Sequence, residues 1–338
     1  MTTRPSSEPI VSLRDLSITF TGAKRPVQAV SGVSLELQRG EVVALIGESG
    51  SGKSVTLRSL LRLHPEKRSR IEGQLRVAGR DVLALNAREL ADYRGKVCSM
   101  IFQEPLLALD PVYTVGAQIV EAIRRHEPGA GAAEARARAL ALFERVRIPS
   151  PERRLDAYPH EMSGGMRQRA MIALALACRP QLLLADEPTT ALDATVQIQV
   201  LLLLRELQAE LGLAVIFVTH DIGAAVEVAD RIAVMYAGRI VEEGSVREIM
   251  RTPRHPYTQA LLKSRAHGAL DRTGNDRARL DTIAGSPPDL AHLPAGCAFA
   301  ERCTHATALC RSALPDAVVF SSSHLARCHH IDTATALA

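Results

Sequence analysis

The sequence predicts an α/β fold with a mainly parallel sheet, and three features lead to that prediction. Short apolar runs at residues 181–185 and 214–219 are typical of strands buried on both faces of a sheet. The long amphipathic stretch 196–211 between them has helical periodicity. A third apolar run, residues 42–46, leads through a glycine-rich turn into a helical stretch at 55–63. Strands that alternate with helices in this way define the α/β class.

Length and composition indicate an ordinary globular protein. The chain has 338 residues, of which 46% are hydrophobic and 23% charged, so it can bury a sizeable core. Its net charge of +4 is small and spread out, which is no argument for binding nucleic acid. No apolar run approaches the roughly 18 residues that span a bilayer, and the N-terminus lacks the apolar segment of a signal peptide. We therefore expect a cytosolic protein, in which structural disulfides are disfavoured.

The remaining segments can be assigned in chain order. Residues 11–20 and 28–38 alternate between apolar and polar, which predicts half-buried strands, and residues 71–85 predict a strand pair turned at 78–80. Residues 114–146 have the composition and spacing of helices, and form an all-helical insert between two α/β parts. Phe20 ends the first strand and could stack on an adenine ring or be an ordinary core residue.

The glycine-rich turn carries the most specific motif of the chain. Residues 47–54 match the pattern G-x-x-x-x-G-K-[ST], and their order is Gly47, Glu48, Ser49, Gly50, Ser51, Gly52, Lys53 and Ser54. Glycines let successive backbone N–H groups face one concavity, and the helix that follows adds its positive N-terminal end. Lys53 can then reach the β- and γ-phosphates, and the Ser54 hydroxyl can bind Mg²⁺. The motif predicts a nucleotide-binding loop.

Polar residues follow two of the predicted buried strands. Asp186 and Glu187 end the strand at 181–185, and His220 ends the strand at 214–219. Ligands of open α/β sheets bind at the carboxyl ends of strands. Asp186 is therefore expected to hold Mg²⁺, most simply through water, and Glu187 to polarise a water for attack on the γ-phosphorus. His220 is expected to contact the γ-phosphate.

Two further motifs open helices. Ser163, Gly164 and Gly165 precede the helix expected at residues 166–178, and Ser163 is placed to cap it. Ala191, Leu192 and Asp193 precede the long helix at 196–211. The N–H groups at the first of these starts are also suited to an anion.

Taken in order, these motifs resemble those of the ATP-binding subunits of ABC transporters. The order is phosphate loop, glutamine loop at Gln103, serine-glycine motif, acidic strand end, Ala-Leu-Asp loop at Asp193 and switch histidine at His220. The resemblance covers roughly residues 9–250. It implies a P-loop NTPase core of ABC type with an antiparallel β subdomain and a helical subdomain at about 104–165. One departure is Met166, where the family motif usually has glutamine.

The resemblance also implies how the site works. ATP would lie between the phosphate loop of one subunit and the serine-glycine motif of a second ATPase subunit, a copy or a paralogue, in a head-to-tail dimer. Gln103 would help to position the nucleotide and Mg²⁺ and would act with Glu187 and His220 in catalysis. The alternatives are a soluble ABC-type ATPase that acts on nucleic acid or ribosomes, and a non-hydrolysing regulatory subunit, which Glu187 and His220 argue against.

Finer similarity points to the dipeptide/oligopeptide permease branch, through residues 102–116, 158–169, 255–262 and 286–290. This implies an importer of small peptides or a related solute. The expected partners are two integral membrane permeases and an extracytoplasmic solute-binding protein, without nucleic acid. The chain would lie at the cytoplasmic face of the cell membrane.

Four cysteines crowd into the C-terminal extension expected at residues 251–338. They are Cys297, Cys303, Cys310 and Cys328, spaced C-x5-C-x6-C-x17-C. In a cytosolic chain such spacing favours a metal or an iron–sulfur cluster over disulfides, while the C-x2-C pairs of zinc modules are missing. The branch resembled above often carries a 4Fe–4S cluster in such a tail. The predicted cofactors are thus ATP, Mg²⁺ and a 4Fe–4S cluster, with zinc or free thiols as the alternatives for the cysteines.

Overall fold

Two β-sheets and the helices around them organise the chain. The computed structural model describes residues 8–22, 25–190, 192–270 and 283–331. The strands are β1 (Val11–Phe20), β2 (Val27–Leu37), β3 (Val42–Ile46), β4 (Ser69–Val77), β5 (Arg80–Asp81), β6 (Cys98–Ile101), β7 (Leu182–Asp186), β8 (Ala214–Thr219), β9 (Arg231–Tyr236), β10 (Arg239–Ser245), β11 (Val318–Val319) and β12 (Leu325–Ala326). The helices are α1 (Lys53–Ser59), α2 (Ala87–Lys96), α3 (Pro105–Ala108), α4 (Val115–His126), α5 (Ala132–Arg145), α6 (Pro151–Leu155), α7 (Gly164–Leu176), α8 (Ala194–Leu211), α9 (Ile222–Val228), α10 (Val246–Arg251), α11 (Pro256–Leu270) and α12 (Ala308–Ser312).

The larger sheet carries the site. Its strand order is β11-β12-β10-β9-β3-β8-β7-β6, and the run from β9 to β6 is parallel. In this run β3, β7 and β8 are buried along their whole length, as expected for strands covered on both faces. Because β3, β8 and β7 are neighbours and parallel, the segments that follow them meet at one edge of the sheet. The predicted mainly parallel α/β sheet is confirmed.

The smaller sheet is antiparallel, with the order β2-β1-β4-β5. Val11 of β1 pairs with Leu37 on one side and Val77 on the other. One face of the smaller sheet packs in a common apolar core with one face of the larger sheet and with α1. This core includes Leu13 of β1, Val43 of β3 and Leu57 of α1. This sheet therefore supports the phosphate-loop helix from one side.

The helical stretch predicted at 114–146 is divided into α4 and α5. The break falls at residues 127–131, which include Pro128, Gly129 and Gly131. Proline lacks an N–H donor and glycine is a poor helix former, so the helix ends there and a second one begins. The boundaries of the predicted subdomains and of the C-terminal extension stay predictions.

Two short strands of the segment 283–331 extend the edge of the larger sheet. Strand β12 pairs with β10, with Glu242 opposite Ala326 and Glu243 opposite Leu325. The buried carboxylate of Glu242 lies 2.8 Å from Nε2 of His324. Among the described residues, no helix is both long and apolar enough to cross a bilayer.

Candidate functional site

The phosphate loop follows β3 and has a backbone that only glycine can adopt at two positions. Gly47 and Gly52 have φ angles of 153° and 100°. A Cβ atom at Gly47 would lie 2.1 Å from the carbonyl oxygen of Met235, and one at Gly52 would lie 2.5 Å from that of Ala29. Both contacts are with backbone, which cannot move aside. The loop therefore packs directly against the backbone at Met235 and Ala29, and its conformation depends on these two glycines.

The Lys53 ammonium lies inside this loop. It donates to the carbonyl oxygens of Gly47 and Glu48, at 2.8 Å each, and to Oγ of Ser51 at 3.3 Å. Burial lowers the pKa of Lys53, and the nearby carboxylates of Glu187 and Asp186 oppose that shift. A buried cation held by three loop oxygens can attract a phosphate group to this position.

The acidic pair follows β7, as the sequence predicts. The Asp186 side chain is fully buried, and its Oδ1 accepts a 2.7 Å hydrogen bond from Oγ of Ser54. Its Oδ2 accepts from the guanidinium of Arg58 at 3.3 Å. Carboxylate and hydroxyl oxygens are the ligands that Mg²⁺ prefers, so the side chains of Ser54 and Asp186 fit this ion.

Glu187 lies at the centre of three polar side chains. Its Oε2 accepts from Nε2 of Gln103 at 3.2 Å and from Oγ1 of Thr190 at 3.1 Å, and it lies 3.2 Å from Nδ1 of His220. Its φ angle of 46° is unusual for a residue other than glycine, and such backbone strain concentrates at functional sites. The fold thus brings Glu187, His220 and Gln103 together from three separate segments.

One open cavity lies between the phosphate loop and the side chains around Glu187. It is lined by the loop from Ser49 to Val55 together with Gln103, Glu187 and His220, and by Phe20 at the end of β1. The ring of Phe20 also meets that of His64 edge to face, with centroids 5.3 Å apart. Phe20 therefore borders both the cavity and a neighbouring ring, and its stacking on an adenine ring stays a prediction.

The serine-glycine motif and Asp193 cap helices instead of lining this cavity. Oγ of Ser163 accepts from the N–H of Met166 at 3.3 Å, and Oδ1 of Asp193 accepts from that of Val196 at 2.9 Å. Neither Ser163 nor Asp193 is among the described residues that line the cavity of the phosphate loop. Ala191, the first residue of the Ala-Leu-Asp motif, lies outside the described residues. Contact of these motifs with a nucleotide across a dimer stays a prediction.

The four C-terminal cysteines line one narrow cavity, together with His255, His305, His329 and His330. All four are free thiols. Burial raises the pKa of Cys297, Cys303 and Cys328, for Cys328 to about 11, and neighbouring thiols add to each shift. Across the parts of the chain that the structure describes, no group of three or more His, Cys, Asp or Glu side chains is arranged to hold a metal ion. The structure therefore does not support the predicted 4Fe–4S cluster.

Several contacts of the site were absent from the sequence-based predictions. Arg58 contacts Asp186 and lies four residues after Ser54 on α1. This spacing places Ser54 and Arg58 on the same face of the helix, so it could have indicated the contact of Arg58 with Asp186. Thr190, which donates to Glu187, follows it by only three residues, so this contact is local in the sequence. Leu290 lines the cavity from a segment more than 200 residues beyond the phosphate loop, and no local pattern indicates that contact.

An α/β fold with a glycine-rich phosphate loop beside a strand-end acidic pair defines a P-loop nucleoside triphosphatase. The family described as "ABC transporter" matches residues 30–190, and the one described as "Oligopeptide/dipeptide transporter, C-terminal region" matches residues 241–310. The chain belongs to the ATP-binding subunits of ABC transporters, in the oligopeptide/dipeptide branch, and is an ATPase.

Several relatives are similar over nearly their whole length. A probable peptide ABC transporter ATP-binding protein of Sinorhizobium fredii is 46% identical over 97% of both chains. The dipeptide transport ATP-binding protein DppD of Bacillus subtilis is 44% identical over 95% of this chain and 94% of its own.

Solved structures resemble the cassette part. The ATP-binding cassette MJ0796, in a dimeric post-hydrolysis state bound to ADP and Pi, matches with a TM-score of 0.63 and 31% identity over 70% of this chain and 99% of its own. The protein cbiO1 of Clostridium perfringens, part of an ABC transporter complex, matches with a TM-score of 0.62 and 26% identity over 73% and 92%. The predicted ABC-type P-loop fold is confirmed.

Proposed function

We propose that this chain binds ATP in the cavity of the phosphate loop and hydrolyses it to drive import of dipeptides, oligopeptides or a closely related solute. The observation that carries the catalytic part is the meeting of Lys53, Glu187 and His220 around one cavity. The buried Asp186 is joined to this cavity through its hydrogen bond with Ser54. The solute is inferred from relatives that match nearly the whole length of this chain and are named as peptide and dipeptide transport proteins. These relatives do not favour an ATPase of nucleic acid or ribosomes.

The backbone N–H groups of the loop, from Gly47 to Ser54, and the ammonium of Lys53 would bind the phosphates. Phe20 would stack on the adenine. Ser54, Asp186 and Gln103 would hold Mg²⁺, which supplies charge stabilisation to the phosphoryl oxygens when it is bound. The Mg²⁺ set is best supported at Ser54 and Asp186, since their oxygens are already adjacent.

Glu187 would accept a proton from the attacking water. Gln103 and His220 both lie within 3.2 Å of its Oε2, so they can orient the carboxylate. His220 would also contact the γ-phosphate. The serine-glycine motif of a second ATPase subunit and its Asp193 would complete the site across a head-to-tail dimer. Partners would be two permeases and an extracytoplasmic solute-binding protein, with this chain at the cytoplasmic face of the membrane.

Reconstitution tests the transport proposal. The full chain would be co-expressed with its candidate permeases and second ATPase, placed in vesicles with MgATP on the ATPase side, and given the binding protein with a labelled dipeptide outside. We expect ATP-dependent uptake that is lost with Lys53→Ala. ATPase activity that nucleic acid stimulates, and that permeases and peptide leave unchanged, would contradict the proposal.

The 4Fe–4S cluster stays a separate prediction, and no step of ATP hydrolysis is assigned to it. It rests on the family resemblance and on the spacing of the four cysteines. The lack of any described group arranged for a metal stands against it. Anaerobic purification followed by iron and sulfide analysis tests it, and iron-free, colourless protein would contradict it.

A further inference from the structure

Residues of the C-terminal segment, by which we mean the described residues from 256 to 331, form hydrogen bonds with the phosphate loop. Glu48, the second residue of the loop, donates its backbone N–H to the hydroxyl of Tyr257 at 2.8 Å. Its carboxylate accepts two hydrogen bonds from the guanidinium of Arg302, at 2.6 Å to Oε2 and 2.9 Å to Oε1. The backbone and the side chain of one loop residue are thus both bound by segments more than 200 residues away.

Arg302 uses all five of its N–H donors. Besides its two bonds to Glu48, Nη1 donates to the hydroxyl of Tyr236 at 3.2 Å, Nη2 to the carbonyl of Ile283 at 3.2 Å, and Nε to that of Ala284 at 2.9 Å. The guanidinium group carries five donors in a rigid plane, so this set fixes its orientation completely. The hydrogen bonds with Glu48 also raise the pKa of Arg302.

An aromatic cluster keeps both contacts in place. The rings of Tyr236 and Tyr257 have centroids 4.6 Å apart, and Phe299 lies 5.3 Å and 5.4 Å from them. Arg302 lies over the rings of Tyr236 and Phe299, and only 5% of its side chain is exposed. A bidentate ion pair within such packing restricts motion far more than an exposed pair does.

We propose that Arg302 and Tyr257 are positioning residues of the ATPase site, through which the C-terminal segment holds the phosphate loop in its triphosphate-binding shape. Tethering Glu48 at both its N–H and its carboxylate fixes the start of the turn, and the residues that follow it, from Ser49 to Ser54, line the cavity. This inference rests on the proposed role of the phosphate loop in binding ATP.

Binding of MgATP to the full-length chain tests it, with thermal unfolding of the nucleotide-free protein measured in parallel. Arg302→Met keeps much of the packing and removes the donors, and should raise the Kd of MgATP about tenfold, since a hydrogen bond between charged groups is lost. Tyr257→Phe should raise it less and leave the unfolding temperature close to that of the parent. Arg311→Met, at an exposed arginine of the same C-terminal segment, should change neither.

A double-variant cycle separates positioning from general stability. If the two side chains act as a pair, Glu48→Gln combined with Arg302→Met should bind MgATP no more weakly than the weaker single variant. Independent losses that add would overturn the inference. So would a lower unfolding temperature with the Kd of the parent, because that is the result of a merely structural contact.

Lys53→Ala distinguishes this inference from the proposed function. If that variant still binds MgATP like the parent, the proposed role of the loop is wrong. If it loses binding while Arg302→Met and Tyr257→Phe bind like the parent, only the positioning role is wrong. Should Arg302→Met fail to fold, Tyr257→Phe alone decides, since it removes one hydroxyl from an otherwise unchanged ring.

Discussion

The hydroxyl of Ser54 donates a 2.7 Å hydrogen bond to Oδ1 of Asp186, which joins the end of the phosphate loop directly to the end of β7. The two residues are 132 positions apart in the sequence. Their contact follows from the sheet order, in which only β8 separates β3 from β7. Two side-chain oxygens of the kind that Mg²⁺ prefers are therefore adjacent.

Replacing Asp186 should weaken nucleotide binding in a metal-dependent way. Asp186→Asn keeps the shape and removes the charge, and loss of one metal ligand should raise the Kd of MgATP about ten- to hundredfold. In EDTA the same change should matter little. Titration with and without Mg²⁺ measures this, and Asp156→Asn, at an exposed partner of Arg136, is the control. Equal losses under both conditions would show that Asp186 does not act through the metal.

Replacing Glu187 should separate binding from turnover. Glu187→Gln keeps the size and shape of the side chain but cannot accept the proton, so the hydrolysis rate should fall by about 10²- to 10⁴-fold while the Kd of MgATP stays near that of the parent. Phosphate release by the assembled transporter gives the rate. The control is Glu206→Gln, at an exposed glutamate of α8 that pairs with Arg147, and this variant should hydrolyse ATP at the rate of the parent. A Glu187→Gln rate close to the parent's would rule out this residue as the base.

The two glycines that open α7 should respond differently to alanine. A Cβ atom at Gly165 would lie 2.8 Å from Cγ1 of Val196 on α8, whereas one at Gly164 would lie 3.7 Å from Leu192. Gly165→Ala should therefore lower the free energy of unfolding by about 1–3 kcal/mol, because Val196 is stiff and must shift. Gly164→Ala should be neutral or gain up to about 1 kcal/mol from helix propensity. Urea denaturation compares them, and equal effects would contradict this difference in packing between the two glycines.

Acidification should remove the contribution of Glu248 to stability. Burial alone would raise its pKa, but hydrogen bonds from Ser321, Ser245 and Ser323 outweigh it and lower the pKa to about 2, from an ordinary 4.5. As the pH falls below about 4.5, the unfolded chain takes up this proton before the folded chain does, so stability falls towards pH 2.

Glu248→Gln should accordingly cost about 1 kcal/mol of unfolding free energy at pH 7, since it weakens the cap of α10 and its bonds to the C-terminal segment. The difference from the parent should shrink as the pH falls from 5 to 3. Urea unfolding across this range measures it, with Glu72→Gln at an exposed residue of β4 as the control. A difference that stays constant with pH would contradict the assignment.

Local patterns predicted the parts of this protein that depend on neighbours in sequence. Strand β8 has the limits predicted from its apolar run, and the backbone of the phosphate loop requires the glycines that the motif supplies at Gly47 and Gly52. Capping boxes at Asn86/Glu89 and Ser245/Glu248 mark the starts of α2 and α10, so these unpredicted helices also left a readable signal. Such features can be read locally because a few adjacent residues supply both the donor and the acceptor.

Only the tertiary structure decided which distant residues meet. The amino-acid sequence determined that a phosphate loop and a strand-end acidic pair exist. The order of the parallel strands then placed Ser54 against Asp186 and brought Glu187, His220 and Gln103 together. It took the packing of the C-terminal segment to bring Arg302 to Glu48, 254 residues away. No local periodicity encodes these contacts, because their partners are chosen by how whole sheets and segments bury their apolar faces.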